Sequence, residues 1–344
     1  MTAHVTQLGQ RLAQYCASRI PGAQDVHVTG LQRIFGGASR ETWHFVLHHR
    51  AGSDTQSQAL ILRRDPSASL IDTDRRIEFA AYQTFAGSAV PVPQVLWLEH
   101  DPNALDHPFF IMQEIIGCEA GPLKLMAEPF QPHHERIARQ MWTILGQIAR
   151  TDPAPLGELL PAASCELVWQ RQLDYWHQVI ERESLEPQPI AQAAVRWLRA
   201  NSPAPAQRIS IVHGDYRIGN ILVEPAGNIR AILDWEMMHQ GDPLEDLAWG
   251  INRVWCFQSD DRVCGLVPRD VAIDHWQRVS GLTADPVALH WWELFSCVKG
   301  QAIWLTAART LQSGANQDLM MALAAWMMTN PQDRAMLQLM GYLA

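Results

Sequence analysis

The sequence predicts an α+β fold of two lobes: an N-terminal antiparallel sheet with one main helix over residues 1–116, then a mostly helical lobe over 117–344. Three observations predict it. Five β-like runs precede Gly117, and helical periodicity dominates after it. The chain, at 344 residues, is also longer than the roughly 250 to 300 residues at which a single core stops growing.

Taken in order, Val5, Leu8, Leu12 and Tyr15 recur at helical spacing, and Pro21-Gly22 stops that helix. Two strand-like runs, Val26 to Phe35 and Glu41 to His48, flank a turn containing Gly36, Gly37 and Ser39. Such a turn has two readings. It is a plain hairpin with glycine at positive φ, or it is a flap whose backbone N–H groups approach an anion, with Ser39 adding a hydroxyl.

Ala59 to Arg64 is the third strand, and its period of two puts Ile61 and Arg63 on one face, Leu62 and Arg64 on the other. One arginine therefore points into a cleft, where Glu78 of the following helix could reach it; the alternative is that all three charges face solvent. Gln94 to Glu99 and Pro108 to Ile116 complete the five strands, and Gln113 to Gly117, which includes Ile115, reads as an interlobe linker able to contact a base through its backbone.

Beyond Gly117, residues 133–150 carry Ile137, Met141, Ile144, Leu145 and Ile148 on one helical face. A Pro/Gly-rich loop over 151–163 precedes a helix from about Glu166 to Ser184, whose Trp169 and Trp176 are core residues or a substrate-side wall. Asp242, Pro243 and Glu245 form a helix-start signature. Val287 to Leu311 and Leu319 to Met328 are apolar nearly all round, which predicts burial or packing on a partner.

A formal net charge of -9 with no Lys/Arg run argues against a nucleic-acid partner. The six cysteines lack metal-ligand spacing and read as free thiols. Neither a signal peptide nor an apolar run long enough for a membrane span is present, so the expectation is a cytoplasmic protein, monomer or homodimer, with several of its 14 tryptophans lining a cleft.

The chemistry concentrates in Ile209 to Trp235, ISIVHGDYRIGNILVEPAGNIRAILDW. Phosphoryl transfer needs a group that orients and deprotonates the acceptor hydroxyl, and hard oxygen ligands for Mg²⁺. A short strand delivers His213-Gly214-Asp215 into a loop, and Asn220 and Asp234 each end an apolar run. Both lie seven positions from Gly227, so in a symmetric hairpin they face each other beside Asp215. Singly, each is equally a turn former or cap. A zinc hydrolase would need ligands at helical spacing, which His133-His134 and His48-His49 do not offer, and a serine hydrolase would need G-x-S-x-G, which is absent.

HGDYRIGNILV, ILDWE and GDPLEDLA resemble the aminoglycoside phosphotransferase and choline kinase-like family, and the GGASRETW turn is similar to the subgroup fused to acyl-CoA dehydrogenases. The likeness covers residues 25 to 330. It implies a protein-kinase-like bilobal fold and an enzyme moving the γ-phosphate of ATP, or GTP, to a small-molecule hydroxyl with Mg²⁺. By resemblance Asp215 is the catalytic aspartate and His213 braces its loop. Asn220 and Asp234 become Mg²⁺ ligands, while Gly36, Gly37, Ser39, Arg63, Glu78, Gln113 and Ile115 bind nucleotide. Asp242 and Asp246 look structural. Arg63 replaces the usual lysine, with Arg64 the alternative if the register slips. A hydroxyacyl-CoA or related catabolic compound is the expected acceptor; an antibiotic kinase and a nucleotide-binding pseudokinase are the alternatives.

Overall fold

The computed structural model describes residues 2–34, 40–65, 74–255, 262–314 and 319–343. Helix α1 (Thr2–Arg19) is followed by strands β1 (Gln24–Ile34), β2 (Glu41–Ala51) and β3 (Asp54–Arg64), helix α2 (Arg75–Phe85), strand β4 (Val95–Glu99), short α3 (Pro102–Leu105) and β5 (Phe109–Gln113). These five strands form one sheet in the order β1-β2-β3-β5-β4, antiparallel throughout. The class is α+β, as expected. Strand β3 begins before its apolar run because exposed polar residues from Asp54 onward pair with Ala51 and its neighbours across a turn at Gly52.

Alternation along β3 assigns the two faces of the sheet. Leu60 and Leu62 pack with Leu8, Leu12, Phe45 and Phe109 beneath α1, while Ile61 packs with Phe79, Tyr82 and Phe110 beneath α2. The arginines follow the same alternation. Arg64, on the α1 face, bonds Glu41 through Nε and Nη2 at 3.0 and 2.5 Å and the Leu105 carbonyl through Nη1 at 3.0 Å. That leaves Arg63 on the α2 face, with Glu78.

The second part contains α4 (Pro122–Leu125), α5 (His134–Ile148), α6 (Val168–Glu183), α7 (Pro189–Ala200), α8 (Pro243–Ile251), α9 (Arg269–Ser280), α10 (Pro286–Gln312) and α11 (Leu319–Leu339). Between α7 and α8 lie two strand pairs, β6 (Ser210–Val212) with β9 (His239–Gly241) and β7 (Ile221–Val223) with β8 (Ile229–Ile232); β10 (Arg262–Val263) and β11 (Val267–Pro268) precede α9. Helix α10 is buried on several sides by Leu289, Trp291, Trp292, Phe295 and Val298, which accounts for its nearly unbroken apolar sequence. Helix α11 departs from its expectation. It continues past Met328 through Pro331, and it buries Ala325 and Met336 while Trp326 and Met327 stay 78% and 56% exposed.

Five cysteines are free thiols, as read from spacing, and Cys256 lies outside the described residues. Among the described residues no helix is long and apolar enough to cross a membrane.

Two helical glycines make opposite demands. A Cβ on Gly146 of α5 would lie 2.7 Å from Val279 Cβ and 3.1 Å from the Ser280 amide of α9, so that helix crossing depends on the missing side chain. On Gly9 of α1 a Cβ would meet only Leu31 Cδ2, at an ordinary 3.6 Å. Gly146→Ala should therefore lower stability by about 1–3 kcal/mol through overpacking, whereas Gly9→Ala should raise it by up to about 1 kcal/mol through helix propensity. Urea unfolding of both variants against the native chain checks the opposite signs.

Candidate active site

The site is assembled from the loop after β6. Gly214 sits at φ +85°, and a Cβ there would lie 2.5 Å from the Met237 carbonyl oxygen, so only glycine admits this close approach. The amides of His213 and Gly214 donate to the two oxygens of Asp246 at 2.6 and 2.9 Å. Lys299 Nζ donates to the Gly214 carbonyl at 2.6 Å and to Glu245 Oε1 at 3.0 Å. Burial pushes the Asp246 carboxyl up to about 6, whereas Glu245 is held near about 2 because His239 and Lys299 outweigh its burial.

His213 is wholly buried, with burial taking its imidazole down to about 4 despite Asp215. Neutral, it donates through Nε2 to the Leu233 carbonyl at 3.0 Å and accepts the Asp215 amide on Nδ1 at 3.1 Å. Both ring nitrogens are thereby committed to backbone. His213 therefore braces the loop from within the core, as the resemblance implies.

Asp215 lies at the cleft surface with both oxygens engaged. Oδ1 accepts from Trp249 Nε1 at 2.8 Å and Arg217 Nε at 3.0 Å; Oδ2 accepts from Asn220 Nδ2 at 2.7 Å and from the same Arg217 Nε at 3.2 Å. Asn220 also donates from Nδ2 to the Asp215 carbonyl at 2.8 Å, leaving its Oδ1 available to a cation.

Asn220 and Asp234 do not face each other. In the β7–β8 pair Ile221 opposes Ile232 and the Leu233 amide donates to the Asn220 carbonyl at 2.9 Å, so Asn220 stands opposite Leu233. The register shift between Leu222 and Val223 moves the hairpin one residue off the symmetry counted from Gly227. Asp234, one position further, turns back at φ +62°, a left-handed conformation that aspartate tolerates better than most side chains.

Above the loop, Arg63 joins the sheet to the hairpin. Its Nε lies 3.0 Å from Glu78 Oε1, an ion pair too bent to count as a hydrogen bond, and its Nη2 lies 2.8 Å from Asp234 Oδ1. Arg63 and Arg217 together outweigh the burial of Asp234 and hold its carboxyl below the ordinary range. Arg40 takes the other oxygen of Glu78 through Nε at 3.0 Å and also pairs with Asp65. Asn220 Oδ1 and the remaining oxygen of Asp234 are hard ligands of the number Mg²⁺ takes from a protein when phosphates and water complete its shell, so the residues present fit that ion.

Gln113 and Ile115 line a cavity of about 640 Å³ between the linker and the β7–β8 hairpin. The amides of Gln113 and Glu114 are already given to the carbonyls of Gln94 and Ala59 at 2.7 and 3.1 Å, so Ile115 is the first linker residue beyond the sheet's own bonding. Gly36, Gly37 and Ser39 lie outside the described residues.

Arg40, Arg217 and Lys299 belong to the site and were not assigned to it from sequence. Lys299 left a legible signal, a single cation within the apolar run of α10. Many tryptophans are packing residues: Trp142, Trp235, Trp249, Trp276, Trp291 and Trp292 are fully buried, and Trp169 packs edge-on against Trp291. Among the described residues Trp249 bonds Asp215, and Trp255 lies beneath the guanidinium of Arg217 at 5.1 Å.

A family model described as the phosphotransferase enzyme family matches residues 30–282. Acyl-CoA dehydrogenase family member 10 of Mus musculus is 27% identical over 271 residues, which is 73% of this chain and 23% of that protein. The chain thus spans about a quarter of the length of that curated relative. Among solved structures, a putative aminoglycoside phosphotransferase from Ralstonia eutropha superposes with a TM-score of 0.72 at 19% identity, covering 96% of this chain and 97% of the other. Aminoglycoside phosphotransferase APH(4)-Ia, solved with AMP-PNP and hygromycin B, superposes at 0.60 with 16% identity, covering 96% and 99%. The fold is the bilobal, protein-kinase-like one.

Glu236 offers a pH test of this packing. Burial, reinforced by Glu78 and Asp234, pushes its carboxyl up to about 7. A folded-state value above the unfolded one means the folded chain holds the extra proton, so the stabilisation is complete below the unfolded value of about 4.5 and is lost as pH rises through 7. Glu236→Gln should match the native melting temperature near pH 5 and exceed it at pH 8; a native advantage at pH 8 would contradict the assignment.

Proposed function

The chain belongs to the phosphotransferase enzyme family, and on that premise we propose that it transfers the γ-phosphoryl group of ATP to a hydroxyl of a small organic molecule, with Asp215 as the acceptor-side base. The observation that carries this reading is one cleft in which Asp215 is bonded to Asn220 while Asp234 is paired with Arg63 and, through it, with Glu78. Carboxylates, an amide oxygen and a guanidinium together supply what phosphoryl transfer asks of a protein, positioning and charge compensation.

In this reading residues 1–116 hold the nucleotide and 117–344 hold the acceptor. Arg63 grips phosphate oxygens in place of the family's lysine; a guanidinium stays charged and can bind two oxygens at once. Glu78 keeps it aimed. Gln113 and Ile115 lie beside the base, and Gly36, Gly37 and Ser39 cover the phosphates. Asn220 and Asp234 hold Mg²⁺, which when bound supplies charge neutralisation at the phosphates. Asp215 orients the acceptor and takes its proton as the new oxygen–phosphorus bond forms; the bridging oxygen–phosphorus bond breaks with its electron pair passing to ADP.

The acceptor proposed is a hydroxyacyl-CoA or a related catabolic hydroxyl compound. Asp215 accepts from the buried Trp249 indole and from the Arg217 guanidinium, which stacks on Trp255, surroundings suited to an anionic acceptor rather than to a polycation. The likeness to an acyl-CoA dehydrogenase family member supports the same acceptor class.

ADP release measured over a panel of hydroxylated acids, their CoA thioesters and aminoglycosides tests the reading. Asp215→Asn should lower turnover by about 10²- to 10⁴-fold while leaving Mg·ATP affinity nearly unchanged. Undiminished turnover by that variant would overturn the role of Asp215. Tight Mg·ATP binding without transfer to any acceptor would instead identify a nucleotide-binding module.

A further inference from the structure

We propose that Arg217 is a catalytic residue, whose guanidinium lies across Asp215 in this structure and moves onto the transferring phosphoryl group during reaction. The inference rests on the phosphotransferase reading and adds to it a second cation, on the acceptor side of the phosphate.

Position comes first. Arg217 Nε lies 3.0 and 3.2 Å from the two oxygens of Asp215. Asp215 in turn accepts from Asn220 Nδ2 at 2.7 Å, so the guanidinium lies on the proposed base, beside a proposed metal ligand. A phosphoryl group passing from metal-bound nucleotide to an acceptor on Asp215 arrives next to it.

Availability is the second point. The neighbouring cations are committed: Arg63 to Glu78 and Asp234, Arg40 to Glu78 and Asp65, and Lys299 to Glu245 and the Gly214 carbonyl. Arg217 differs. Its side chain is 30% exposed, and among the described residues its hydrogen bonds run through Nε alone, leaving Nη1 and Nη2 without a protein partner. These are the two nitrogens with which a guanidinium grips phosphate in parallel.

The chain also provides a slot for this side chain. The Trp255 ring lies 5.1 Å below the guanidinium, and stacking on an indole holds it in plane at little cost. On the other side, a Cβ at Gly219 would fall 2.0 Å from Nη1. Gly219 is not in the left-handed region, so what its missing side chain provides is room for Arg217.

Mechanistic need completes the argument. With Trp249 and Arg217 on Oδ1, and Asn220 and Arg217 on Oδ2, Asp215 is covered by donors on both oxygens. To receive a hydroxyl proton it must shed one, and Arg217 is the donor that an arriving anion can draw away. Negative charge spread over the equatorial oxygens of the transferring group then stabilises the guanidinium in its new place. Departure of Arg217 from Asp215 and its arrival on phosphate are one movement, so the base is uncovered only when there is a phosphoryl group to transfer.

The test needs no knowledge of the acceptor. Affinity for Mg·ADP alone and for Mg·ADP with aluminium fluoride, a mimic of the transferring phosphoryl, is measured by calorimetry for the native chain, Arg217→Gln, Arg217→Lys and Gly219→Ala. The native chain should bind Mg·ADP more tightly with fluoride present. Arg217→Gln should bind Mg·ADP within about twofold of native yet lose on the order of tenfold or more of the fluoride enhancement, with Arg217→Lys keeping part of it and Gly219→Ala, whose methyl crowds only the resting guanidinium, keeping all of it. An undiminished enhancement in Arg217→Gln overturns the proposal and leaves the guanidinium to an anionic group of the acceptor. A parallel loss of both affinities overturns it too, since that marks a misplaced loop, and so does a native chain that binds Mg·ADP without any enhancement. Absence of Mg·ADP binding by the native chain is a separate failure, which removes the phosphotransferase reading itself.

Discussion

The ammonium of Lys299, held between Glu245 and the Gly214 carbonyl, is the interaction on which the remainder of the site depends. It ties three elements at one point: α10, which carries the lysine; α8, which carries Glu245; and the loop that presents Asp215. Both charges are buried, at 1% and 0% exposure. Desolvation on that scale is offset only when every polar atom finds a partner. Here His239 takes the second oxygen of Glu245 at 3.0 Å, while the Trp176 and Trp249 rings face the ammonium at 5.6 and 5.0 Å. Removing one member of such a pair typically costs about 3–5 kcal/mol, so loop geometry and global stability are joined through one bond network. Asp246, one residue on, completes the clamp by accepting two loop amides.

The side of the site facing the five-stranded sheet is organised by a different constraint, the sharing of Glu78. Its two oxygens receive Arg63 and Arg40 separately, and Tyr82 OH, one turn further along α2, lies 3.4 Å from Glu78 and accepts the Asp234 amide at 3.3 Å. Helix α2 is therefore connected to Asp234 by two routes, through Arg63 and through Tyr82. A shift of α2 relative to the hairpin would move Asp234 and the guanidinium together, which gives the sheet and the helical lobe a common reporter of closure. Arginine in place of lysine makes this possible, because one planar fork spans Glu78 and Asp234 at once.

Much of this was legible in the chain. Period-two alternation on β3 sorted Arg63 from Arg64, and it did so because one face of that strand is filled by α1 and the other by α2. The cap at Asp242 was legible because its carboxylate needs only the Leu244 amide two residues on. Counting from Gly227 failed by one residue, since the bulge falls at Arg230, inside a four-residue strand too short for its alternation to mark an extra residue. The tryptophans stayed ambiguous in another way: indole spacing on a helix does not distinguish a cleft from a core, and Trp169 packs edge-on against Trp291.

The sequence by itself determined which residues are proposed to carry the reaction, because Asp215, Asn220 and Asp234 lie within twenty residues and local strand ends suffice to bring them near one another. It also determined the lobe order, through the change from two-residue to helical periodicity after Gly117. Only the tertiary structure decided what surrounds Asp215. Trp249 is 34 positions away from it, and Lys299 stands 85 from the Gly214 carbonyl it bonds. Even Arg217, two positions from Asp215, takes its orientation from Trp255. Contacts across such separations follow from how α8 and α10 pack, and that packing is set by shape and burial over the whole helical lobe, which no local stretch of sequence encodes.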